Sequence, residues 1–291
     1  MKPIKEGYIP FRGYRTYYRI VGECAPGKLP LLALHGGPGC AHDYLESLDD
    51  IADNGRAVVY YDQLGCGKSV TPSMPDFWSA ELWEEEIDVV RQALGLDNIH
   101  LLGQSWGGML AMQYATHQPK GVASMIVASS PASIPLWVKE ANRLRGYLPK
   151  AMQEALIQAD NDGDYQRPEV VEASAEYYRR HVCRIEPYPD FVARSFDQMG
   201  EPYMVMQGAS EFVVTGKLKN WDITDQLHSI TIPTLVTSGS MDEATPLISK
   251  AIVDRIPDCQ WELIEDGTHL CHVELRDHYN AIVEKFISAH E

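Results

Sequence analysis

The sequence lacks paired cysteine spacings and long apolar runs, the features that would indicate a disulfide framework or a membrane protein. Its six cysteines are scattered and none forms a Cys-x-x-Cys pair, which in a chain of 291 residues favours reduced thiols. No stretch approaches the roughly 18 consecutive apolar residues that a membrane helix needs. The first residues, MKPIKEGYIPFRGYRTYY, contain no apolar core typical of a secretory signal. We therefore expect a cytoplasmic protein with no membrane partner.

Basic residues are scarce relative to acidic ones. The chain carries 25 Lys and Arg against 41 Asp and Glu, a formal net charge of −16 at pH 7. Nucleic acid and anionic membrane surfaces would be repelled by such a protein, so neither is expected as a partner. A cationic substrate would be tolerated or attracted. With 45% hydrophobic residues, the composition is that of a globular protein able to bury a substantial core.

Strand-like and helix-like segments alternate along the first 130 residues. Strands are predicted over 16–21, 29–34, 57–62, 99–103 and 122–128, with helices over 79–94 and 106–117. The same rhythm returns after residue 222, with strands over 234–238 and 261–264 and helices over 247–256 and 272–289. Strands separated by helices are typical of βαβ units, so we predict an α/β fold with a mostly parallel central sheet flanked by helices.

Strands and helices no longer alternate between residues 131 and 221. Prolines at positions 135, 149, 168, 187, 189 and 202 divide this stretch into helical pieces. The simplest architecture is one α/β core domain, formed by 1–130 and 222–291, which is interrupted by a mostly helical cap domain over 131–221.

A single serine lies between glycines where one apolar strand gives way to a helix. The segment GQSWG, residues 103–107, has the G-x-S-x-G pattern in the strand–turn–helix context of a nucleophile elbow. A sharp turn strains its central residue, and the glycines remove side chains that would collide with the flanking strand and helix. The helix that starts here also directs free N–H groups toward an oxyanion. The pattern indicates Ser105 as a nucleophile rather than as a structural serine in a tight turn.

A serine nucleophile needs a histidine base and a carboxylate that orients it, and in proteins with this elbow they follow in the order Ser, Asp or Glu, His. Asp242 comes just after the predicted strand 234–238, and His269 lies in the loop after the strand 261–264. Parallel α/β sheets build their sites at the carboxyl ends of strands. Order and loop placement therefore predict Asp242 and His269 as the partners of Ser105, although Asp242 alone could be a helix cap and His269 an ordinary loop residue.

His272 is the rival base, three residues after His269. It lies where the last helix is predicted to begin, which favours His269. His269, His272 and Glu274 also resemble metal ligands loosely, but the i, i+4 pairing on a helix is missing and no cysteine spacing supports a site. We predict no metal and no other cofactor.

The segment HGGPG, residues 35–39, follows the predicted strand 29–34. In proteins with this elbow, the oxyanion hole takes one N–H from the residue after the nucleophile, here Trp106. The second N–H comes from the loop after an early strand, for which Gly37 is the candidate. A simple Gly-Pro turn is the alternative, but the position of the loop relative to the elbow favours the oxyanion hole.

Three motifs together carry a specific resemblance: HGGPG at 35–39, DQLGCGKS at 62–69 and GQSWGG at 103–108. With GASEF at 208–212 and WDI at 221–223, the chain resembles the proline iminopeptidases of the α/β-hydrolase superfamily over its full length. The resemblance implies a metal-independent serine aminopeptidase that releases an N-terminal residue, often proline. It also implies a helical cap over the site and glutamates that bind the free amine of a peptide or amino-acid amide. These roles are carried over to Glu211 and Glu243; without the resemblance, both would be ordinary surface carboxylates.

Other functions remain open at this point. Close relatives of iminopeptidases cleave amino-acid amides with the same residues, so an amino-acid amidase or esterase is the main alternative. A different chemistry on the same fold is a more distant one, because fold does not determine function. The chain could also be a non-catalytic ligand receptor built on a hydrolase scaffold, although an intact set of Ser105, Asp242 and His269 argues against it.

Overall fold

The computed structural model describes residues 2–291, in which eight strands form a single sheet. The strands are β1 (Ile4–Phe11), β2 (Tyr14–Val21), β3 (Leu31–Leu34), β4 (Val58–Tyr61), β5 (Ile99–Gln104), β6 (Val122–Ala128), β7 (Thr234–Gly239) and β8 (Cys259–Ile264). They lie in the order β1-β2-β4-β3-β5-β6-β7-β8, and all pairs beyond β2 and β4 are parallel. The predicted mostly parallel sheet is therefore confirmed. The structure adds an antiparallel edge formed by β1 and β2, of which the sequence pattern predicted only β2.

Ten helices accompany the sheet in the described chain. They are α1 (Ala80–Leu94), α2 (Trp106–Thr116), α3 (Ile134–Arg145), α4 (Lys150–Asp162), α5 (Pro168–His181), α6 (Asp190–Asp197), α7 (Glu201–Met206), α8 (Pro246–Val253), α9 (Cys271–Glu274) and α10 (Arg276–Ser288). Two 3-10 helical segments, His42–Asn54 and Thr224–Ser229, complete the regular structure. None of the helices in residues 2–291 combines the length and apolar character needed to span a bilayer.

Local sequence explains the limits of α1. The Ser79 hydroxyl accepts the Leu82 N–H at 3.3 Å at the N-terminus, and Gly95 ends the helix in the left-handed conformation with φ 68°. Between these caps Trp83, Ile87 and Val90 follow the helical period and are completely buried. An amphipathic face of this kind packs on the sheet.

The short strand β3 shows how both faces of the sheet are covered. Leu32 and Leu34 belong to one apolar cluster, whereas Leu31 and Ala33 belong to another on the opposite face. Successive side chains of a strand point to opposite faces, so a strand buried on both sides reads as a continuous apolar run. The four residues are fully buried, as a central strand of a doubly covered parallel sheet requires.

Helices α3 to α7 all lie between β6 and β7 in the chain. The two ends of this insertion meet at an isolated bridge between Ser133 and Asp222, whose side chains form a 2.6 Å hydrogen bond. Part of the insertion packs around its own apolar cluster, which includes Leu156, Tyr177 and Phe212. We propose residues 131–221 as a cap domain on a core formed by 1–130 and 222–291, the division expected from the sequence.

The structure differs from the sequence pattern at the C-terminus. One helix was expected over 272–289, but Leu275, with φ −121° and ψ 44°, separates α9 from α10. The 3-10 segment His42–Asn54 was also not predicted, although its buried apolar residues do follow a helical period: Tyr44, Leu45, Leu48, Ile51 and Ala52.

Candidate active site

Ser105 lies at the sharp turn between β5 and α2. Its backbone has φ 56° and ψ −123°, a conformation that few residues other than glycine adopt. A Cβ on Gly103 would lie 2.1 Å from the Gly107 carbonyl oxygen, and a Cβ on Gly107 would lie 2.1 Å from the Leu34 carbonyl oxygen. The flanking glycines are therefore required by the close approach of backbone to backbone, and they leave the Ser105 side chain free to project from the turn.

Sheet topology brings the HGGPG loop next to this turn. After β3 the chain moves to one side of that strand to form β4, and later to its other side to form β5. Ligands of open α/β sheets bind in the crevice at such a switch of direction. Because Leu34 of β3 pairs with Gly103 of β5, the loops that follow these two strands emerge side by side.

Two backbone N–H groups at this crevice are candidates for the oxyanion hole. Among the described residues, neither the Gly37 nor the Trp106 N–H donates to a protein acceptor. Gly37 has φ 112°, which favours glycine, and Trp106 is the first residue of α2, where N–H groups are unpaired and the helix dipole is positive. Both residues line the same cavity as Ser105.

His269 and Asp242 meet across the ends of β7 and β8. The Nδ1 atom of His269 lies 2.9 Å from Oδ1 of Asp242, and the same oxygen accepts the Ala244 N–H at 2.7 Å. These contacts hold the Asp242 carboxylate in place. Because Asp242 is 1% exposed, the carboxylate is also shielded from water. An Nδ1–H donated to Asp242 leaves Nε2 of His269 as the nitrogen able to accept a proton.

Ser105 and His269 line one cavity of about 420 Å³. No hydrogen bond joins the Ser105 hydroxyl to His269, whose Nδ1 contacts Asp242 instead. Contacts between a nucleophile and its base are often long without substrate and tighten when substrate binds. The structure thus places Ser105 and His269 in one cavity, with Asp242 in contact with His269.

His272 occupies a different environment from His269. It is 2% exposed, its Nδ1 lies 2.8 Å from the Ser47 hydroxyl, and its ring packs between Tyr44 and Tyr279. Burial lowers the pKa of His272 to about 3, so the ring is neutral at ordinary pH. It is not among the residues that line the cavity. The geometry favours a structural role for His272.

Glu211 and Glu243, from cap and core respectively, both face the cavity. Tyr203 donates its hydroxyl hydrogen to Glu211 at 2.5 Å, whereas Oε2 of Glu243 is buried without a hydrogen-bond partner in the described chain. Burial raises the pKa of Glu211, and burial together with the charges of Glu211 and Asp242 raises the pKa of Glu243 well above its usual value. Two enclosed carboxyl groups of this kind are chemically suited to bind a positive charge.

The end of helix α5 connects the cap to the two loops that carry Glu243 and His269. The backbone carbonyl of His181 accepts the N–H of Glu243 at 3.2 Å and that of His269 at 3.0 Å. The next carbonyl, of Val182, accepts the Leu270 N–H at 2.9 Å. These contacts use only backbone atoms, so no residue type in the sequence could have indicated them.

Gln63 is a further residue of the site region that the sequence analysis did not assign. Its side chain accepts the indole N–H of Trp106 at 2.8 Å and donates to the His35 carbonyl at 2.9 Å. Its backbone N–H donates to Nε2 of His35 at 2.9 Å. Through Gln63, the motif DQLGCGKS therefore connects the HGGPG loop with the elbow. Its occurrence with two other glycine-rich motifs is the feature of the sequence that could have indicated a role for Gln63 in the site.

No group of three or more His, Cys, Asp or Glu side chains within residues 2–291 is arranged to hold a metal ion. His269 and His272 in particular point into different surroundings, the first toward Asp242 and the second toward Ser47.

Comparisons with known proteins identify the family and agree with the fold. A family model described as the alpha/beta hydrolase fold matches residues 30–274. The proline iminopeptidase of Clostridium botulinum is 46% identical over 99% of both chains, and that of Clostridioides difficile is 44% identical with the same coverage. The crystal structure of the proline iminopeptidase of Mycobacterium smegmatis superimposes with a TM-score of 0.92, at 38% identity and 98% coverage of each chain.

Proposed function

Because the chain belongs to the proline iminopeptidases, a family of the alpha/beta hydrolase fold, we propose that it is a serine aminopeptidase that releases N-terminal proline from peptides. The observation that carries this proposal is a single cavity containing Ser105, His269 and the two carboxyl groups of Glu211 and Glu243. A nucleophile and its base explain hydrolysis, and the carboxyl groups explain why the substrate must have a free amine.

In the proposed reaction, Ser105 attacks the scissile carbonyl while Nε2 of His269 takes the hydroxyl proton. Asp242 keeps the imidazole in the required tautomer and stabilises the imidazolium that forms. The N–H groups of Gly37 and Trp106 donate to the oxyanion of the tetrahedral intermediate. His269 then protonates the leaving amine, and water, activated by the same histidine, hydrolyses the acyl-enzyme.

Selection of the N-terminus follows from electrostatics. The amine of N-terminal proline is protonated near neutral pH, and it would restore ionisation of Glu211 and Glu243 by supplying the missing counter-charge. An internal peptide bond has no cation to offer, so binding it would leave enclosed carboxyl groups unpaired at a cost of several kcal/mol. The cap, which contributes Glu211, thereby limits cleavage to the first residue.

A panel of substrates tests the proposal. Prolyl-naphthylamide, other aminoacyl-naphthylamides, amino-acid amides and simple acyl esters would be compared by kcat/KM, and proline derivatives with a free amine should be the best substrates. Ser105→Ala is the control and should reduce kcat by at least about a thousandfold on all of them. Preference for amino-acid amides or for acyl esters lacking an amine would instead support the amidase or esterase alternative.

A further inference from the structure

Gln104, the residue before the candidate nucleophile, has a side chain that the proposed reaction does not use. It is 2% exposed and lies in the wall of the cavity. Its amide oxygen accepts the Tyr44 hydroxyl hydrogen at 2.5 Å, and its amide nitrogen donates to the backbone carbonyl of His269 at 3.2 Å. A buried side-chain amide with both ends hydrogen-bonded connects the elbow to two distant parts of the chain.

Tyr44 extends this connection to the HGGPG loop. Its hydroxyl oxygen accepts the Gly36 N–H at 2.7 Å. The other side of Gly36 is also held, because its carbonyl oxygen lies 3.0 Å from Nδ1 of His35, whose Nε2 accepts an N–H from Gln63. Consecutive glycines have no side chains to restrict their peptide planes. The orientation of the Gly37 N–H therefore depends on these contacts to its neighbour.

Packing around Gly36 leaves little freedom for this arrangement to shift. A Cβ at this position would lie 2.9 Å from the Tyr44 hydroxyl, 3.0 Å from Cβ of Ser105 and 3.1 Å from Oε1 of Gln104. The loop thus touches the nucleophile and both members of the hydrogen-bonded pair. Displacement of Tyr44 or Gln104 would be transmitted to the loop directly.

We propose that Tyr44 and Gln104 are positioning residues that keep the Gly37 N–H and the His269 backbone aligned with Ser105. The proposal rests on the proposed function, because alignment matters only if these three residues carry the reaction. Tyr44 and Gln104 act through Gly36 and His269 and not by contact with the reacting atoms. Misplacement by about 1 Å at a reaction centre can cost roughly 100-fold in rate.

Two variants break the connection. Tyr44→Phe removes one oxygen atom, and Gln104→Met removes both hydrogen-bonding ends while preserving side-chain length. Each should lower kcat on prolyl-naphthylamide by about 10- to 100-fold, with KM changed less than about threefold. Because the two residues form one connection, the double variant should lose much less than the product of the single losses. Tyr60→Phe is the matched control, since Tyr60 is equally buried but its hydroxyl contacts Asp49 far from the cavity.

Inhibitor binding separates positioning from general stability. The aldehyde analogue of proline forms a tetrahedral adduct with a serine and places an oxyanion near Gly37, whereas free proline does not. Both variants should weaken the aldehyde by the same factor as kcat/KM and leave inhibition by proline unchanged; Tyr60→Phe should change neither. Thermal unfolding of each variant shows whether the enzyme is folded at the temperature at which the rates are measured.

Three results would overturn the proposal. Retention of kcat within about twofold in both variants, with Ser105→Ala inactive, would show that alignment does not depend on Tyr44 and Gln104. Weaker proline binding with kcat unchanged would mean that the two side chains contact substrate. A loss of rate without a matching loss of aldehyde affinity would reduce their role to stability. Activity retained by Ser105→Ala would instead refute the proposed function.

Discussion

At the scale of single residues, His269 and His272 differ in their surroundings although only two residues separate them. His269 lines the cavity and contacts the Asp242 carboxylate. His272 is enclosed between aromatic rings, and burial lowers its pKa to about 3. A general base must reach the nucleophile and accept a proton near the working pH, conditions that His272 does not meet.

Substitution of the two histidines tests this distinction. His269→Ala should reduce kcat by roughly 10⁴-fold or more, because a triad loses its function when the base is removed. His272→Ala should lower kcat per folded molecule by less than about tenfold, because its ring lies outside the cavity and affects the site only through its packing on Tyr44. It should lower the free energy of unfolding by about 1–3 kcal/mol because Ser47 loses a buried partner. Steady-state kinetics and denaturant unfolding measure the two effects. An inactive but folded His272→Ala variant would contradict the assignment.

Recognition of the substrate amine is tested at Glu211 and Glu243. Glu211→Gln and Glu243→Gln preserve side-chain shape but remove a charge, so binding of a free amine should weaken by about 1–3 kcal/mol. This corresponds to about 5- to 150-fold in kcat/KM for free-amine substrates. An ester without an amine should be affected much less, and N-acetylated substrates should be poor for the unmodified enzyme. Equal rates on free and N-acetylated substrates would show that neither carboxylate recognises the amine.

At the scale of elements, the glycines of the turn between β5 and α2 are required for steric reasons. Gly103 and Gly107 permit backbone contacts that any side chain would prevent, and Ser105 accepts the strain at φ 56°. Such strain persists only when the surrounding structure imposes it. Here the elbow is held by the Ser105 N–H, which donates to the Ala128 carbonyl of β6 at 2.9 Å.

Two glycine substitutions distinguish the cost of a steric clash from the cost of a positive φ angle. Gly107→Ala would place a methyl group 2.1 Å from the Leu34 carbonyl oxygen and should prevent stable folding or displace α2. Gly95→Ala, at the end of α1, meets nothing within 4 Å and has only the cost of φ 68°, about 1–2 kcal/mol. Denaturant unfolding and kcat of both variants test the comparison. A folded, fully active Gly107→Ala enzyme would contradict the packing argument.

Secondary structure was predictable from sequence where apolar periodicity was regular. The strand over 122–128 was predicted with its observed limits, and α1 with a difference of one residue at its start. The strand β1 was not predicted because most of its side chains are exposed or partly exposed at the sheet edge. The break at Leu275 was also missed, because neither glycine nor proline marks it.

At the scale of the whole molecule, the site combines parts that are far apart in sequence and places like charges together. Glu211 comes from the cap and Glu243 from the core, and the charges of Glu211 and Asp242 disfavour ionisation of Glu243. Bringing such groups together without a counter-ion lowers stability in the free enzyme. Under the proposed function, the binding of a cationic substrate would recover that free energy.

The pH dependence of stability tests this cost. Since the pKa of Glu243 is raised in the folded state, the folded protein binds more protons than the unfolded one above the usual glutamate pKa, and stability falls as pH rises toward the raised value. Glu243→Gln removes this loss. Its Tm should exceed that of the unmodified enzyme by about 2 °C or more at pH 8, with a smaller difference at pH 5. Thermal scans of both proteins at both pH values test this prediction. If the Tm difference between Glu243→Gln and the unmodified enzyme did not depend on pH, Glu243 would be ionised without cost to stability.

The sequence by itself determined the alternating core, the strained turn at Ser105 and the order of the candidate triad, because these depend on local periodicity and on steric limits that glycine alone relieves. Tertiary structure decided the rest. Only packing separates His269 from His272, since burial and partners set the chemistry of each ring. Only the fold brings Glu211 and Glu243 into one cavity, where burial raises the pKa of both and the neighbouring carboxylates raise that of Glu243 further. Such properties arise from contacts between distant residues, which no local pattern records.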